Sequence, residues 1–300
     1  MVKVINDIII NPVKSRLFYK NNLGEKCVIV RFDGGIASQI AFYTLVKYYE
    51  EKGYKVKVDL SWFDECGMDI NNKFARNFDL PKAFKLKNLE IATDEEIKYY
   101  IDNFYLKSKI YQLATPPSYV GRYYTYTKLL KKYRKDFIKI FTPELDANNE
   151  LWLSKIQFQP SCAIHVRRGD LSNCKFSYYG KTATAEYFIN AIAFIKNKNP
   201  ETKFFFFSDE VDWIKSEIVP KLQDISYEIV DCNGSDKGYL DLYLISKCNS
   251  FISSIGSLAK FGALLSKNLE GAYFIVSKDD RNYTCINALT GAKIVKIKNS

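Results

Sequence analysis

Two adjacent arginines, Arg167 and Arg168, follow directly after a short apolar run, Ser161–Val166. Guanidinium groups are poorly suited to a protein core, and their forked donors bind phosphate oxygens in pairs and stay charged at any working pH. The pair therefore predicts a site that compensates negative charge, such as the charge that builds on a departing diphosphate. Gly169 lets the chain turn away from a ligand there. The structural alternative is a salt bridge from either arginine to Asp170.

His165 lies just before the arginines and is the only histidine in 300 residues. Multi-histidine zinc and iron sites are therefore excluded, and any histidine-based mechanism has to use this residue. The seven cysteines form no C-x-x-C pair, which is typical of reduced thiols. The sequence has no dinucleotide-binding G-x-G-x-x-G, no phosphate-binding P-loop and no D-x-D at a strand end. The predicted site is positive and metal-free.

Two further segments combine polar side chains with a strand end. Ser208 and Asp209 follow a Phe-rich run, where they could cap the next helix or accept hydrogen bonds from a base or a ribose. Residues 253–257 lie between a predicted strand and a helix, where hydroxyl and backbone N–H groups can bind an anion. Helix capping by Ser257 is the alternative there. Both segments are candidates for the same site as the arginines.

The elements that position these residues alternate regularly in the second half of the chain. Apolar runs and helical periodicity predict strands at 161–166, 203–207, 227–230, 250–254 and 272–276. Helices are predicted between them, which indicates a parallel, doubly wound sheet with ligands beyond the carboxyl ends of its strands. The first half begins similarly, with strands at 27–32 and 56–60 around a helix at 38–51, and loosens after about residue 70. We predict two α/β, Rossmann-like domains, 1–150 and 151–300.

Composition and charge set the class of protein. Apolar residues make up 47% and aromatic residues 15%, which excludes a disordered chain. No run approaches the ~20 apolar residues of a membrane span, and residues 1–11 lack the layout of a signal peptide, so we expect a cytoplasmic protein. The net charge of +10 is spread along the chain. It favours anionic partners, namely nucleotide phosphates, acidic lipids or nucleic acid.

Several motifs together resemble one enzyme family. Residues 165–170 resemble the H-x-R-R-x-D motif of the α-1,2-fucosyltransferases and, more distantly, of the α-1,6- and protein O-fucosyltransferases. Order and spacing agree over about residues 27–265. The other matching segments are 34–39 with Tyr43, 207–210 with Trp213, and 241–248 followed by Ser254 and Ser257. The chain resembles a divergent member, because residues 258–261 replace the family's Trp-Trp.

The resemblance implies a reaction and its partners. The reaction is an inverting transfer of L-fucose from GDP-β-L-fucose to a sugar hydroxyl, without a metal or other cofactor. The implied fold is GT-B, with a cleft between two Rossmann-like domains, the first on the acceptor side and the second binding the GDP-sugar. The implied acceptor is O2 of a β-galactose in a surface glycan or O-antigen unit of lipopolysaccharide, which could be lipid-linked. Peripheral contact with the anionic inner face of a bacterial membrane would fit such an acceptor.

The resemblance also assigns roles to individual residues. Among the catalytic candidates, it implies Arg168 and His165. The third, Asp33, is a candidate base because of its position beside the Gly-Gly turn, and Asp170 and Glu210 are further candidates because they lie at other strand ends. The donor-binding candidates form four groups. The phosphates would be bound by Arg167, Arg168, Ser254 and Ser257, and guanosine by Asp209 and Asp241. The nucleotide or reacting sugar would be contacted by His165, and the N-terminal motif contributes Gly34, Gly35 and Gln39.

Two alternatives remain open at the level of sequence. One is a transferase that uses a different nucleotide sugar. The other is a basic nucleic-acid-binding protein, since residues 128–139 mix lysines with aromatic residues. The spacing of apolar residues in that segment fits an amphipathic helix with a solvated or membrane-facing basic side better, so we expect no nucleic-acid partner.

Overall fold

The computed structural model describes residues 27–65, 67–68, 75–105, 113, 115–121, 125–169 and 180–299. These residues form two compact units. Unit 1 comprises the described parts of 1–33, 38–66 and 87–124, and unit 2 comprises 34–37, the described parts of 67–86, and 125 onward.

The elements before residue 160 are, in chain order, β1 (Cys27–Arg31), α1 (Ile36–Glu51), β2 (Lys55–Asp59), α2 (Ser61–Glu65), α3 (Leu80–Ala83), α4 (Asp94–Phe104), β3 (Ser118–Val120), α5 (Thr127–Ile140) and α6 (Ala147–Phe158). The later elements are β4 (Ser161–Val166), α7 (Ala185–Lys198), β5 (Lys203–Ser208), α8 (Val211–Trp213), β6 (Tyr227–Val230), α9 (Gly238–Ile245), β7 (Ser250–Ser253), α10 (Leu258–Leu264), β8 (Tyr273–Ser277), α11 (Tyr283–Ile286) and β9 (Lys293–Ile297). Helix α8 continues as a π-helical turn, Ile214–Ile218, and a 3₁₀ turn, Val219–Lys221.

Unit 1 is built on a parallel sheet in which β1 lies between β2 and β3. Its central strand is almost entirely apolar and buried, as expected for a parallel strand covered on both faces. Helix α4 begins at a capping box, in which Thr93 and Glu96 bond each other's backbone N–H groups. Glu96 also accepts a 2.7 Å hydrogen bond from the buried ammonium of Lys57 on β2, which ties the helix to the sheet.

Unit 2 contains a six-stranded parallel sheet in the order β6-β5-β4-β7-β8-β9. This is the strand order of a Rossmann fold, and the chain reverses its winding direction between β4 and β7. Strands β4, β5 and β7 are nearly all buried because helices cover both faces of the sheet. Helix α7 packs Tyr187, Phe188 and Ile192 into the core beside β4. The ligand-binding edge of such a sheet is the carboxyl end of β4 and β7.

Most predicted elements are confirmed within two residues, but two strands were missed. The second-half prediction had five strands, whereas β9 adds a sixth. In β9, Lys293 and Lys296 interrupt the apolar run, so the segment has the pattern of an exposed surface. Strand β3 is only three residues long. Such short strands carry little periodic signal.

The compact units do not divide at residue 150, the boundary that we predicted. Residue 150 lies inside α6, and both α5 and α6 belong to unit 2. The guanidinium of Arg134 on α5 donates to the carbonyls of Leu264 and Ser266 at 2.7 and 2.6 Å. On α6, Asn149 exchanges hydrogen bonds with Asn233. These contacts hold both helices to the strands and helices that follow them.

Candidate functional site

The candidate site begins where β4, β5 and β7 end side by side. His165 is paired in register with Phe207 on one side and with Ser253 on the other. The residues that follow the three strands therefore meet at one edge of the sheet, at the point where its winding reverses. Ser208 joins two of these strand ends, because its hydroxyl donates to the carbonyl of Val166 at 2.9 Å.

Arg167 is held in place at both its backbone and its side chain. Its N–H donates to Ser254 Oγ at 2.8 Å, and its Nη1 lies 2.7 Å from Asp209 Oδ2. Only 18% of the Arg167 side chain and 11% of the Asp209 side chain are exposed, so water weakens this ion pair less than it would at the surface. Asp170, the partner considered from sequence, lies outside the described residues.

Arg168 is oriented by three groups from different parts of unit 2. Its N–H donates to Asp209 Oδ1 at 3.2 Å, and its Nη1 donates to the carbonyl of Ala183 at 3.1 Å. Its guanidinium lies over the ring of Trp213, with Cζ 4.0 Å from the ring centroid. Stacking on an aromatic face fixes the plane of the guanidinium and therefore the direction of its remaining donors.

Asp209 does not cap the following helix. Its carboxylate receives the Arg167 guanidinium and the Arg168 N–H, and the N-cap residue of α8 is Glu210, which makes no side-chain cap hydrogen bond. A Cβ on Gly169 would collide with Asp209 Oδ2, so a glycine is needed at this position for the close approach. The described contacts make Asp209 the anchor of the arginine turn, and its guanosine contact stays a prediction.

His165 is buried, and its Nδ1 has no hydrogen-bond partner in the part of the chain that the structure describes. Burial, together with the positive charges of Arg167 and Lys260, lowers the pKa of His165 to about 3. The lowered pKa favours the neutral imidazole at physiological pH, which has one hydrogen-bond donor and one acceptor. An unpartnered buried nitrogen is unusual, and a bound ligand would explain it.

Ser254 and Ser257 lie in the turn between β7 and α10. Ser254 is fully buried, and its N–H donates to the carbonyl of His165 at 3.1 Å, which places the turn directly beside β4. The predicted alternative for Ser257 was helix capping, but its side chain makes no cap hydrogen bond. The contacts of Ser254 thus join the serine turn to the arginine turn.

Asp241 lies on α9, next to the loop that follows β6. Asn233 donates to its Oδ1 at 2.8 Å, and Asn233 is in turn bonded to Asn149. Burial raises the pKa of Asp241 to about 7, although the bond from Asn233 opposes the shift. The carboxyl group therefore titrates near physiological pH, at a position that the family resemblance assigns to guanosine.

We expect Asp241→Asn to remove a pH dependence of stability. Because the folded pKa lies above that of the unfolded chain, the native carboxyl keeps its proton between about pH 4 and 7, and the free energy of unfolding decreases as the pH rises through this range. In urea unfolding at pH 5 and pH 8, the wild type should lose about 2–3 kcal/mol more than the variant. Equal losses would contradict the raised pKa.

The remaining predicted residues lie in the N-terminal motif. Asp33 belongs to unit 1, where burial raises its pKa and Arg31 opposes the shift. Gln39 is fully buried on α1, also in unit 1. Gly34 and Gly35 belong to unit 2, and Gly34 has a φ of 68°, which favours glycine. Asp33 and Gln39 therefore belong to a different compact unit from the arginine and serine turns.

The sequence reasoning missed three side chains that lie beside predicted site residues. Arg76 Nη1 lies 3.7 Å from the position of a Cβ on Gly35, so a further cation lies beside the Gly-Gly turn. Trp213 was part of a motif but had no assigned role, and it now orients Arg168. Lys260 was noted only as a departure from the family pattern, yet it is buried beside the serine turn. None of these contacts has a local sequence signal.

Neither a metal cluster nor a membrane-spanning helix occurs among the described residues. No group of three or more His, Cys, Asp and Glu side chains is arranged there to hold a metal ion. None of the helices described is long and apolar enough to cross a membrane.

Two proteins of Escherichia coli are similar to this chain in sequence. The α-1,2-colitosyltransferase of Escherichia coli is 25% identical over 79% of this chain and 87% of its own length. The O-antigen biosynthesis glycosyltransferase WbnK, also of Escherichia coli, is 27% identical over 35% of this chain and 34% of its own length.

The fold is similar to that of a solved structure. The structure of a point mutant of Arabidopsis thaliana FUT1 in complex with GDP covers 92% of this chain and 76% of that chain, with 10% identity and a TM-score of 0.50. The GT-B class of α/β fold predicted from the sequence is confirmed.

The family model named glycosyl transferase family 11 matches residues 88–284, a segment that includes both arginines and both serines of the site. The predicted membership of the α-1,2-fucosyltransferase family is thereby confirmed. The chain is a glycosyltransferase and belongs to glycosyl transferase family 11.

Proposed function

We propose that this glycosyltransferase moves L-fucose from GDP-β-L-fucose to a sugar hydroxyl with inversion, and that it needs no metal. The observation that carries the proposal is the pair Arg167 and Arg168 at the carboxyl end of β4, where a doubly wound sheet binds its ligand. A GDP leaving group carries its charge on the diphosphate. Two fixed guanidinium groups supply the compensation that a metal ion would otherwise provide.

Arg168 has the main role in the proposed reaction. Trp213 and the Ala183 carbonyl hold one face and one nitrogen of its guanidinium, so the other N–H groups keep a fixed direction. As the bond between fucose and phosphate breaks, negative charge grows on the β-phosphate, and these donors stabilise it without rearranging. The neutral His165 contributes a hydrogen bond to the nucleotide or the reacting sugar.

The acceptor hydroxyl has to lose a proton as the new bond forms. Asp33 is our candidate base, since burial raises its pKa, and a carboxylate with a raised pKa accepts a proton more readily at neutral pH. The proton balance is then complete: the hydroxyl oxygen bonds to the sugar carbon, the GDP oxygen takes the electron pair of the broken bond, and the carboxylate holds the proton.

A donor test separates this proposal from transfer of another nucleotide sugar. We expect GDP to stabilise the protein against heat, and UDP and dTDP to leave the midpoint unchanged. At a concentration 100 times the Kd, a ligand adds about 2.7 kcal/mol to the stability. Stabilisation by UDP or dTDP but not by GDP would contradict the proposal.

The name of one relative raises colitose as a second donor sugar. Colitose lacks the 3-hydroxyl of fucose, and a pocket that hydrogen-bonds a substrate hydroxyl rejects the analogue without it by a large factor. Turnover of GDP-fucose and GDP-colitose, measured side by side, therefore decides the sugar. Exclusive use of GDP-colitose would overturn the fucose assignment and leave the GDP site in place.

The proposed acceptor is O2 of a β-galactose in a surface glycan, in line with the O-antigen function in the name of WbnK. If the acceptor is lipid-linked, the enzyme works beside a membrane at the inner face of the cell. Helix α5 offers a surface of suitable charge. Its outward side carries five exposed lysines, and its inward side is apolar and buried.

We expect binding to vesicles that contain phosphatidylserine and none to neutral vesicles. Each lysine near an anionic surface contributes about 1 kcal/mol, so changing Lys128, Lys131 and Lys135 to Gln should reduce binding strongly. Co-sedimentation with vesicles measures this.

The matched control changes three exposed lysines elsewhere in unit 2, Lys215, Lys221 and Lys267, to Gln. Equal loss from both triple variants would show that only net charge matters. Salt-sensitive RNA binding without vesicle binding would favour the nucleic-acid alternative.

A further inference from the structure

Lys260 and Asp280 form an ion pair in the interior of unit 2. Both side chains have 0% exposure, and Lys260 Nζ lies 2.6 Å from Asp280 Oδ2. Lys260 lies on α10, and Asp280 follows β8. Removing two charges from water is costly, and such a pair is often no more stabilising than an apolar replacement. The pair therefore calls for a role other than stability.

Lys260 also binds the turn between β7 and α10. Its Nζ donates to the carbonyls of Gly256 and Ser254 at 2.5 and 3.4 Å, and it lies 3.4 Å from Ser253 Oγ. The carbonyl of Ile255, between these two, accepts from Ser254 Oγ at 3.2 Å. Three successive carbonyls of the turn are thus bonded to groups of the protein.

The orientation of these three carbonyls fixes the orientation of the N–H groups of the residues that follow them, Ile255, Gly256 and Ser257. In a planar trans peptide, the C=O of one residue and the N–H of the next point in opposite directions. Each N–H group of Ile255, Gly256 and Ser257 therefore points away from the group that binds the preceding carbonyl, and none of the three donates to an acceptor among the described residues. Successive N–H groups of this kind form an anion-binding nest.

Two further features fit a nest. Gly256 has a φ of 103°, a conformation that side chains disfavour. Next to the turn, the buried Nδ1 of His165 has no partner in the described chain, although the carbonyl of the same residue is bonded to the turn. The turn and this nitrogen are therefore neighbouring polar features that lack partners among the described residues.

We propose that Lys260, with Asp280 as its counter-ion, is a positioning residue that aims the N–H groups of Ile255 and Ser257, on either side of that of Gly256, at the diphosphate of the donor. This inference rests on the proposed GDP-sugar function. Lys260 itself binds the turn and not the ligand. Its charge is neutralised by Asp280, so the effect acts through the shape of the turn.

The test compares the wild type with the double variant Lys260→Met and Asp280→Asn. The double change removes both charges with little change in volume, whereas Lys260→Met alone would leave Asp280 buried and unpaired. We expect the double variant to bind guanosine like the wild type in calorimetric titration and to bind GDP about tenfold or more weakly, because hydrogen bonds to a charged group are lost. Lys221→Met, an exposed lysine, is the matched control.

A double variant with wild-type affinity for GDP would overturn the inference. Wild-type protein that binds no GDP would overturn the proposed function instead, and titration of inorganic pyrophosphate would then decide the inference. If the wild type binds pyrophosphate and the double variant does not, the anion-binding nest is supported. If the wild type does not bind pyrophosphate, the nest is refuted.

Amide hydrogen exchange on the wild type needs no variant. GDP should protect the amides of residues 255–257 and guanosine should not, and equal exchange with both ligands would contradict the proposal.

Discussion

Arg168→Lys is expected to lower kcat by about 10²–10³-fold, the cost of removing one donor aimed at a developing negative charge. Because lysine keeps the positive charge, the loss of kcat measures what the geometry of the guanidinium contributes. A guanidinium stacks on Trp213, donates to the Ala183 carbonyl and still has N–H groups for a phosphate. An ammonium is a compact point charge and cannot make all three interactions from one position.

Steady-state kinetics with GDP-fucose measure this effect, and thermal unfolding of the same variant checks the fold. The matched control is Arg281→Lys, the same change at an exposed residue, which should keep the wild-type kcat. Near-normal turnover of Arg168→Lys would contradict the role of Arg168 in stabilising the leaving group.

Gly169→Ala is expected to lower kcat/KM by about 10²-fold, because displacement of a catalytic group by about 1 Å has an effect of that size. The new Cβ would collide with Asp209 Oδ2, which anchors Arg167 and the N–H of Arg168. Either Asp209 or the turn has to move. Both arginines then lose their alignment although neither has been changed.

The control for this variant is Gly238→Ala on α9, where an added Cβ meets no atom within 4 Å. It should retain wild-type kinetics. A Gly169→Ala enzyme with wild-type kcat/KM would show that Asp209 does not need its present position, and the anchoring role would be wrong.

Much of unit 2 could be predicted from the sequence for a simple physical reason. Buried parallel strands are continuous apolar runs, so β4, β5 and β7 are visible as such. The edge strand β9 is only partly covered and carries lysines, and it was missed. Between β5 and β6 the sequence predicted a helix, and the irregular π-helical and 3₁₀ turns that follow α8 were not predicted.

The site was predicted in its residue types and not in its contacts. Arg167 and Arg168 follow a predicted buried strand, so the sequence correctly placed them at the carboxyl end of β4. The partner of Arg167 is Asp209, which lies far away in sequence, and no local pattern distinguishes it from a helix cap. Lys260 lies in a short, otherwise apolar helix, and only its tertiary partner Asp280 explains it. Contacts across the sheet depend on the fold and cannot be predicted from local periodicity.

A crystal structure of the enzyme with GDP tests most directly whether the carboxyl edge of the unit 2 sheet is the donor site. We expect the diphosphate within hydrogen-bond distance of the Arg168 guanidinium and of the N–H groups of Gly256 and Ser257. Unit 2 also has a cavity of about 420 Å³ at the opposite, amino edge of the sheet, lined in part by Thr202 and Asn249. GDP bound there, without contact to Arg168, would contradict the donor site proposed at the arginine turn.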